Sequence, residues 1–146
     1  MNIGIKILEH GKDLPVPSYA TDGSSGVDLY AAIDDDVLAN PGDVKLIPCG
    51  ICLSIQKGYE GQIRSRSGMS LKHGIIVLNS PGTIDSDYRG EIKIIMMNVS
   101  QEAFYIKRGM KLAQLVITPV VQASFNIVDE IDETARADGG FGSTGI

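Results

Sequence analysis

The sequence predicts a single all-β domain, and three observations lead to that prediction. The 146-residue chain is long enough to bury one core of its own without disulfides or metals. Its 17 glycines and 6 prolines indicate many turns, while 3 Phe and no Trp leave the core to Ile, Val and Leu. Short apolar runs rich in β-branched residues recur between these turns, which is typical of β-sandwiches and barrels.

The first quarter of the chain contains two predicted strands separated by a loop. Ile3, Ile5 and Ile7 alternate with other residues and predict the first strand. Residues 12–25 form a loop rich in Pro, Gly and small polar side chains, and residues 26–33 form the next strand. Asp28 lies among apolar neighbours in that strand. Because unpaired burial of a carboxylate is unfavourable, we expect Asp28 to meet a cation, a donor or an ion, or to cap nearby backbone amides.

The second quarter adds two strands and the only predicted helix. Residues 34–43 form a turn-rich connection with a solvated acidic face, and strands follow in residues 44–55 and 58–67. A short helix is predicted from about Gly68 to His73, with Ser67 as its N-cap and Gly74 as its stop. A helix start beside an arginine favours anion binding at Arg66, although an outward-facing strand arginine is the alternative.

The loop from Val77 to Glu91 concentrates most of the chemistry. Its sequence, VLNSPGTIDSDYRGE, lies between two apolar runs that predict buried strands, so its polar groups are held on a rigid frame. Asn79, Asp85 and Tyr88 supply an amide, a carboxylate and a phenol. The loop is therefore a candidate small-ligand pocket, with a solvated hairpin tip as the alternative.

The C-terminal third contains one more predicted strand, followed by a segment of different composition. Residues 112–121 are strongly apolar around Gln114, whose amide must find partners in a strand. We place the domain at residues 1–128 and predict a flexible arm at 129–146, because that segment is charged and then glycine-rich. The apolar ring of Phe141 is not stabilised in a solvated tail unless it packs against another surface. We therefore predict that Phe141 forms a stacking lid, with a disordered tail as the alternative.

Composition and charge exclude several functions. The net charge of −5 and the lack of a basic patch argue against nucleic-acid binding. No signal peptide and no 18-residue apolar stretch are present, so we expect a cytoplasmic protein that does not enter a membrane. Cys49 and Cys52 lack the second ligand pair that zinc needs, and two reduced, mostly buried thiols are the better interpretation.

Five ordered motifs resemble those of the homotrimeric deoxyuridine triphosphatases (dUTPases). They are SSGVDLYA (24–31), RSRSGMSLKHG (64–74), the Val77–Glu91 loop, RGMKLAQLV (108–116) and RADGGFGSTG (136–145). The resemblance implies an antiparallel β-barrel or jelly-roll-like subunit, in a homotrimer whose active sites are shared between subunits. It also implies Mg²⁺-dependent hydrolysis of dUTP to dUMP and diphosphate, which limits uracil incorporation into DNA and supplies dUMP for dTMP synthesis.

The resemblance also implies roles for individual residues. Asp85 is the catalytic base: an aspartate is ionised at neutral pH and can activate a water for attack at the α-phosphate. Asp28 contributes to the water shell of Mg²⁺, Tyr88 packs on the deoxyribose and Phe141 covers the uracil. The other implied substrate-binding residues are Arg66, Ser67, Gly68, Asn79, Gly82, Thr83, Ile84, Lys93, Gln114, Arg136, Gly142, Ser143 and Thr144.

Two positions depart from the family pattern, and two other functions stay open. Ser65 stands where the family usually has proline, and Ala137 where it usually has glycine. A dCTP deaminase is the first rival, although its usual glutamate base is not evident. A module that binds dUTP and signals without turnover is the second.

Overall fold

The computed structural model describes residues 1–140 and confirms the all-β prediction. That range contains ten strands, one α-helix and a 3₁₀ helix at Glu9–Gly11. The strands are β1 (Gly4–Ile7), β2 (Val27–Tyr30), β3 (Val37–Ala39), β4 (Val44–Ser54), β5 (Tyr59–Ser65), β6 (Ile75–Val77), β7 (Gly82–Ile84), β8 (Glu91–Asn98), β9 (Phe104–Ile106) and β10 (Lys111–Pro119). The helix, α1, spans Ser67–His73.

Two four-stranded antiparallel sheets enclose the core. Sheet A has the strand order β1-β4-β8-β6, and sheet B has the order β2-β10-β5-β7. Strands β3 and β9 form a separate antiparallel pair. One hydrophobic cluster joins Ile47 and Ile94 of sheet A to Leu29, Ile63 and Leu115 of sheet B. Burial of these aliphatic side chains between two sheets is what holds such a two-layer fold together.

Asn98 is a fully buried polar residue at the end of β8. Its amide nitrogen donates to the carbonyls of Ala39 and Glu102 at 2.9 and 2.7 Å. Its amide oxygen accepts from the backbone N–H and the hydroxyl of Ser100 at 2.9 and 2.8 Å. The side chain is therefore fully satisfied, which makes its burial tolerable.

The predicted helix is present, but its N-terminus differs from the prediction. Gly74 ends it with φ 62°, the left-handed conformation expected of a glycine stop. Ser67, the predicted N-cap, is instead the first helical residue. Arg66 occupies the cap position and makes no side-chain capping hydrogen bond. The prediction of a serine cap was wrong because the helix begins one residue earlier than predicted, so the extended backbone ends at Arg66.

Two short strands were not predicted, and the Val77–Glu91 loop is more than a simple hairpin. Strands β3 and β9 have three residues each, too few to show a period in the sequence. Strands β6 and β8 pair within sheet A, as expected for the two flanks of a hairpin. Between them, β7 crosses to sheet B and pairs with β5, so the loop connects the two sheets.

The outer face of sheet A is apolar. Six side chains alternate with the core residues of β4, β6 and β8 and point away from the core: Val44, Leu46, Ile76, Leu78, Ile95 and Met97. Leu46 is 59% exposed and Val44 is 51% exposed. Met97 thus faces away from the core, whereas its neighbour Met96 is buried. Apolar surface of this extent is typical of a contact with another protein.

Beyond β10 the described chain is exposed. Residues 120–140 contain neither helix nor strand, and Val121, Phe125 and Ile127 are each more than nine-tenths exposed. The division at residues 128 and 129 stays a prediction. Across residues 1–140, no helix has the length and apolar character needed to cross a bilayer.

Candidate active site

Asp28, Arg66, Lys111 and Gln114 meet at one end of sheet B, a group called here the cationic cluster. Asp28 of β2 lies directly opposite Gln114 of β10. The Arg66 Nε lies 2.9 Å from Asp28 Oδ1, and the Lys111 Nζ lies 2.9 Å from Asp28 Oδ2. The partly buried carboxylate thus has the cations that the sequence analysis expected. Two positive groups around one negative group leave local positive charge for an anion.

Backbone contacts fix the geometry of this cluster. The Arg66 Nη1 donates to the carbonyl of Lys111 at 2.7 Å, and the Gln114 amide donates to the carbonyl of Ser65 at 3.0 Å. The hydrogen bond from Lys111 to Asp28, with the charge of Asp28, raises the pKa of the lysine. Exposed Ser67 and Gly68 follow Arg66 directly at the start of α1.

Lys111 was not predicted as a site residue. In the sequence it reads as the exposed first residue of an apolar strand. The sequence signal for Lys111 was indirect, because the carboxylate of Asp28 was expected to have a partner such as a cation.

The Val77–Glu91 loop holds its functional groups on short-range contacts. The Asn79 amide packs on Gly82, where an added Cβ would lie 3.1 Å from its nitrogen. The Tyr88 hydroxyl donates to the carbonyl of Glu91 at 3.0 Å. The Tyr88 ring covers Gly90 so closely that an added Cβ would lie 2.3 Å from the hydroxyl. A side chain at position 82 would therefore need a small shift of Asn79, and a side chain at position 90 would displace the Tyr88 ring.

An acidic cleft of about 370 Å³ adjoins Asp85. It is lined by Lys57, Gly58, Tyr59, Glu60, Asp85, Ser86, Asp87, Val120 and Gln122. Three carboxylates and one lysine give this cleft an excess of negative charge. Such a surface repels phosphates, so cations from elsewhere are needed if a nucleotide is to bind beside Asp85.

Within one chain, Asp85 and the cationic cluster lie far apart. Ile84 pairs with Gly61, which places Asp85 level with Glu60 on β5. Arg66 lies six residues further along, so at about 3.3 Å per residue the separation is about 20 Å. An arginine side chain does not cover that distance. One chain therefore brings Asp28, Arg66 and Gln114 together, and brings Asn79 and Gly82 together, but keeps Asp85 apart from the cationic cluster.

The remaining predicted residues lie at the edges of these groups. Thr83 and Ile84 belong to β7, where Ile84 packs against the core. Lys93 is exposed, with its Nζ 3.8 Å from Glu91 Oε2. Arg136 donates through Nε to the carbonyl of Gly139 at 2.8 Å. The predicted lid and phosphate residues Phe141, Gly142, Ser143 and Thr144 lie outside the described residues.

The chain was expected to depart from the family pattern at Ser65 and Ala137, and these two residues have different structural environments. Ser65 accepts a 2.8 Å hydrogen bond from the Val77 N–H, a contact that ties β5 to the start of the loop. Ala137 has φ 45°, in the left-handed region that favours glycine. The backbone at Ala137 therefore has a conformation that glycine adopts more readily than alanine.

The described residues fit a metal ion only if the ion arrives with a ligand. Within residues 1–140, no group of three or more His, Cys, Asp or Glu side chains could hold an ion. Asp28 is a single carboxylate that is partly exposed and already paired with cations. Mg²⁺ bound to a nucleotide's phosphates needs only one or two protein carboxylates and keeps its waters. Asp28 fits that arrangement and does not fit a resident metal centre.

The two cysteines are free thiols. Cys49 is buried, and its burial, with a smaller contribution from the charge of Glu91, raises its pKa to about 12. Cys52 is partly buried. A buried thiol with a raised pKa is a poor nucleophile, so Cys49 belongs to the core rather than to the site.

The chain is similar to known proteins over nearly its whole length. The family model described as dUTPase matches residues 12–145. A deoxyuridine 5′-triphosphate nucleotidohydrolase of Wolbachia pipientis subsp. Culex pipiens (strain wPip) is 56% identical, with 99% of this chain and 96% of the relative covered. The corresponding protein of Ehrlichia canis (strain Jake) is 53% identical, covering 99% and 97%. The structure of a Staphylococcus bacteriophage 80alpha dUTPase with dUPNHPP has a TM-score of 0.88, with 25% identity and 99% of both chains covered.

Proposed function

This chain belongs to the dUTPase family, and on that premise we propose that it hydrolyses dUTP to dUMP and diphosphate. The observation that carries the proposal is the Val77–Glu91 loop, in which Asn79 packs on Gly82 and the Tyr88 N–H donates to the carbonyl of Asp85 at 3.1 Å. The loop and the cationic cluster both fall within the matched residues 12–145. A product of this reaction is dUMP, so the enzyme would limit uracil incorporation into DNA and supply dUMP for dTMP synthesis.

The loop accounts for nucleoside recognition and water activation. The Asn79 amide offers both a donor and an acceptor to the edge of uracil. The Tyr88 ring packs against the deoxyribose, where a 2′-hydroxyl would clash. Asp85 is exposed at the end of β7 and orients the water that attacks the α-phosphate, taking its proton.

The cationic cluster accounts for phosphate binding. Arg66 offers a planar fork of donors, Gln114 an amide, and Ser67 and Gly68 an exposed backbone beside them. Asp28 would hold the water shell of Mg²⁺ carried on the phosphates. When bound, Mg²⁺ neutralises phosphate charge, and Arg66 and Arg136 add to that stabilisation.

The active enzyme is a homotrimer in which each site draws on several subunits. The separation of about 20 Å between Asp85 and Arg66 supports this assembly, because one copy cannot place both on one triphosphate. The apolar outer face of sheet A supports it as well, since burial against another copy would stabilise it. A neighbouring chain's Arg66 would also supply the positive charge that the acidic cleft beside Asp85 lacks.

The C-terminal arm completes the site from a third subunit. Residues 121–138 are exposed along their length and follow β10, so they are free to contact a neighbour. Phe141 would cover the uracil, and Gly142, Ser143 and Thr144 would bind the terminal phosphate. Closure of such an arm would exclude water other than the attacking one.

The substitution Asp85→Asn tests the proposal. It keeps the shape of the loop and removes the base, so kcat for dUTP should fall by about a hundredfold or more. Binding of the analogue dUpNHpp, measured by calorimetry, should remain. Asp87→Asn is the matched control, because it removes an exposed acid two residues away on the same loop. Near wild-type kcat in Asp85→Asn would remove this residue from the mechanism, and a wild type that releases no diphosphate from dUTP would refute the function.

A further inference from the structure

Glu91 is the last residue of the Val77–Glu91 loop and the first residue of β8, and its side chain contacts β4 and the 3₁₀ helix. Its side chain is 16% exposed, and its Oε1 accepts from the backbone N–H of Gly50 at 2.9 Å. The same oxygen lies 2.6 Å from His10 Nε2. Lys93 Nζ is 3.8 Å from Oε2. The carboxylate therefore ties the first residue of β8 to β4 and to the 3₁₀ helix.

The backbone of Glu91 contacts the side chain that faces the sugar in the proposed function. The Glu91 carbonyl accepts the hydrogen bond of the Tyr88 hydroxyl. Tyr88 is 43% exposed, so few other groups restrain its ring. Its position depends on that carbonyl and on the close contact with Gly90. Any displacement of Glu91 is transmitted to the phenol.

The support behind His10 is rigid. Gly11 and Gly50 are in such close contact that a Cβ on either would lie 2.6 Å or less from the other's backbone. Leu8 donates its N–H to the Gly50 carbonyl at 2.8 Å. Arg108 donates to the His10 carbonyl at 2.7 Å and also pairs with Asp13. His10 is thus presented to Glu91 by backbone that cannot shift independently.

We propose that the His10–Glu91 pair positions Tyr88 and thereby sets the discrimination between 2′-deoxyribonucleotides and ribonucleotides. This inference rests on the proposed function, in which the Tyr88 ring excludes a 2′-hydroxyl. The Tyr88 ring can exclude a 2′-hydroxyl only while its position is fixed, since a shift of about 1 Å in a positioning group can change rates by two orders of magnitude. His10 and Glu91 touch no substrate and act through Tyr88.

The test is the ratio of kcat/KM for dUTP to kcat/KM for UTP. Loss of folded enzyme lowers both values equally and cancels in the ratio, so a merely structural role leaves it unchanged. His10→Ala and Glu91→Ala should each lower the ratio by about tenfold, the effect expected of one charge-assisted hydrogen bond. Glu91→Gln keeps an oxygen acceptor for both donors and should retain most of the discrimination. Glu9→Ala, an exposed acid in the same 3₁₀ helix, is the matched control and should leave the ratio unchanged.

A double-mutant cycle shows whether the effect passes through Tyr88. Tyr88→Phe removes only the hydroxyl that binds the Glu91 carbonyl, so His10→Ala added to it should lower the ratio no further. Additive effects would overturn the inference, as would an unchanged ratio in His10→Ala and Glu91→Ala, or an equal fall in Glu9→Ala. If the wild type cleaves dUTP in preference to UTP and the variants keep that preference, only this inference fails. If the wild type cleaves neither nucleotide, the proposed function fails and this inference fails with it.

Discussion

Two inactive variants should regain activity when they are assembled together. Asp85→Asn removes the proposed base from the Val77–Glu91 loop, and Arg66→Gln removes the guanidinium from the cationic cluster. The register of β5 and β7 places these residues about 20 Å apart in one chain. If the loop and the cluster of one active site come from different subunits, a mixed assembly contains sites in which both are intact.

The size of the recovery follows from counting. When equal amounts of the two variants are unfolded and refolded together, a site has an intact loop half of the time and an intact cluster half of the time. About a quarter of the sites should then be active, which corresponds to one site in every mixed trimer. Diphosphate release from dUTP measures the recovery, and native mass spectrometry measures the fraction of mixed trimers. Each variant refolded alone provides the baseline.

The alternative arrangement gives a different number. If loop and cluster of one site belong to the same chain, every site carries one of the two substitutions and no activity returns. Recovery near zero, with mixed trimers present, would refute the shared site without affecting the assignment of Asp85 as the base. A monomer would likewise give no recovery.

Three further predictions concern stability and reactivity. Gly74→Ala should lower the free energy of unfolding, measured by chemical denaturation, by about 2 kcal/mol, because it places a side chain at φ 62° and 2.9 Å from the backbone nitrogen of Ser100. Gly23→Ala is the control and should be nearly neutral, because the space around Gly23 is open. The hydrogen bond from Arg108 lowers the pKa of Asp13 from its usual 3.8, so the stabilisation is present above that value and is lost as the pH falls through the lowered pKa. The stability difference between wild type and Asp13→Asn should therefore be constant above about pH 5 and shrink as the pH falls below 3.8, and a difference that does not shrink would contradict this. Cys49, with a pKa of about 12, should resist iodoacetamide at pH 8 in the folded protein and react after unfolding in guanidinium, as read by mass spectrometry.

The sequence predicted the fold class and the longer elements well. Strands β4, β5, β8 and β10 were predicted because each is long enough to show β-branched or aliphatic runs between turn residues. The α1 stop at Gly74 was predicted because a left-handed glycine after a short amphipathic segment is a local signal. The membership of the dUTPase family was also predicted, because five motifs in a fixed order are far more specific than any single one.

Features that depend on long-range pairing could not be predicted. Nothing in the residues around Glu91 indicates that its carboxylate meets His10, 81 positions earlier in the chain. Nor does the run of residues 92–99 reveal that Met97 faces outward, because both faces of β8 are apolar. A strand that is buried on one side by its own core and on the other by a second copy has the same composition as a strand buried within one subunit.

The separation of the site into two groups has a simple origin in β5. That strand pairs with β7 near its start, which fixes the position of Asp85, and its end leads directly into Arg66 and α1. The length of β5 therefore sets the distance between Asp85 and Arg66, and both ends of β5 are held by hydrogen bonds to neighbouring strands. No loop motion within the subunit can close that distance without breaking the sheet. The proposed activity would bring Asp85 and Arg66 together across a subunit boundary, and the acidic cleft beside Asp85 favours the approach of a positively charged neighbour.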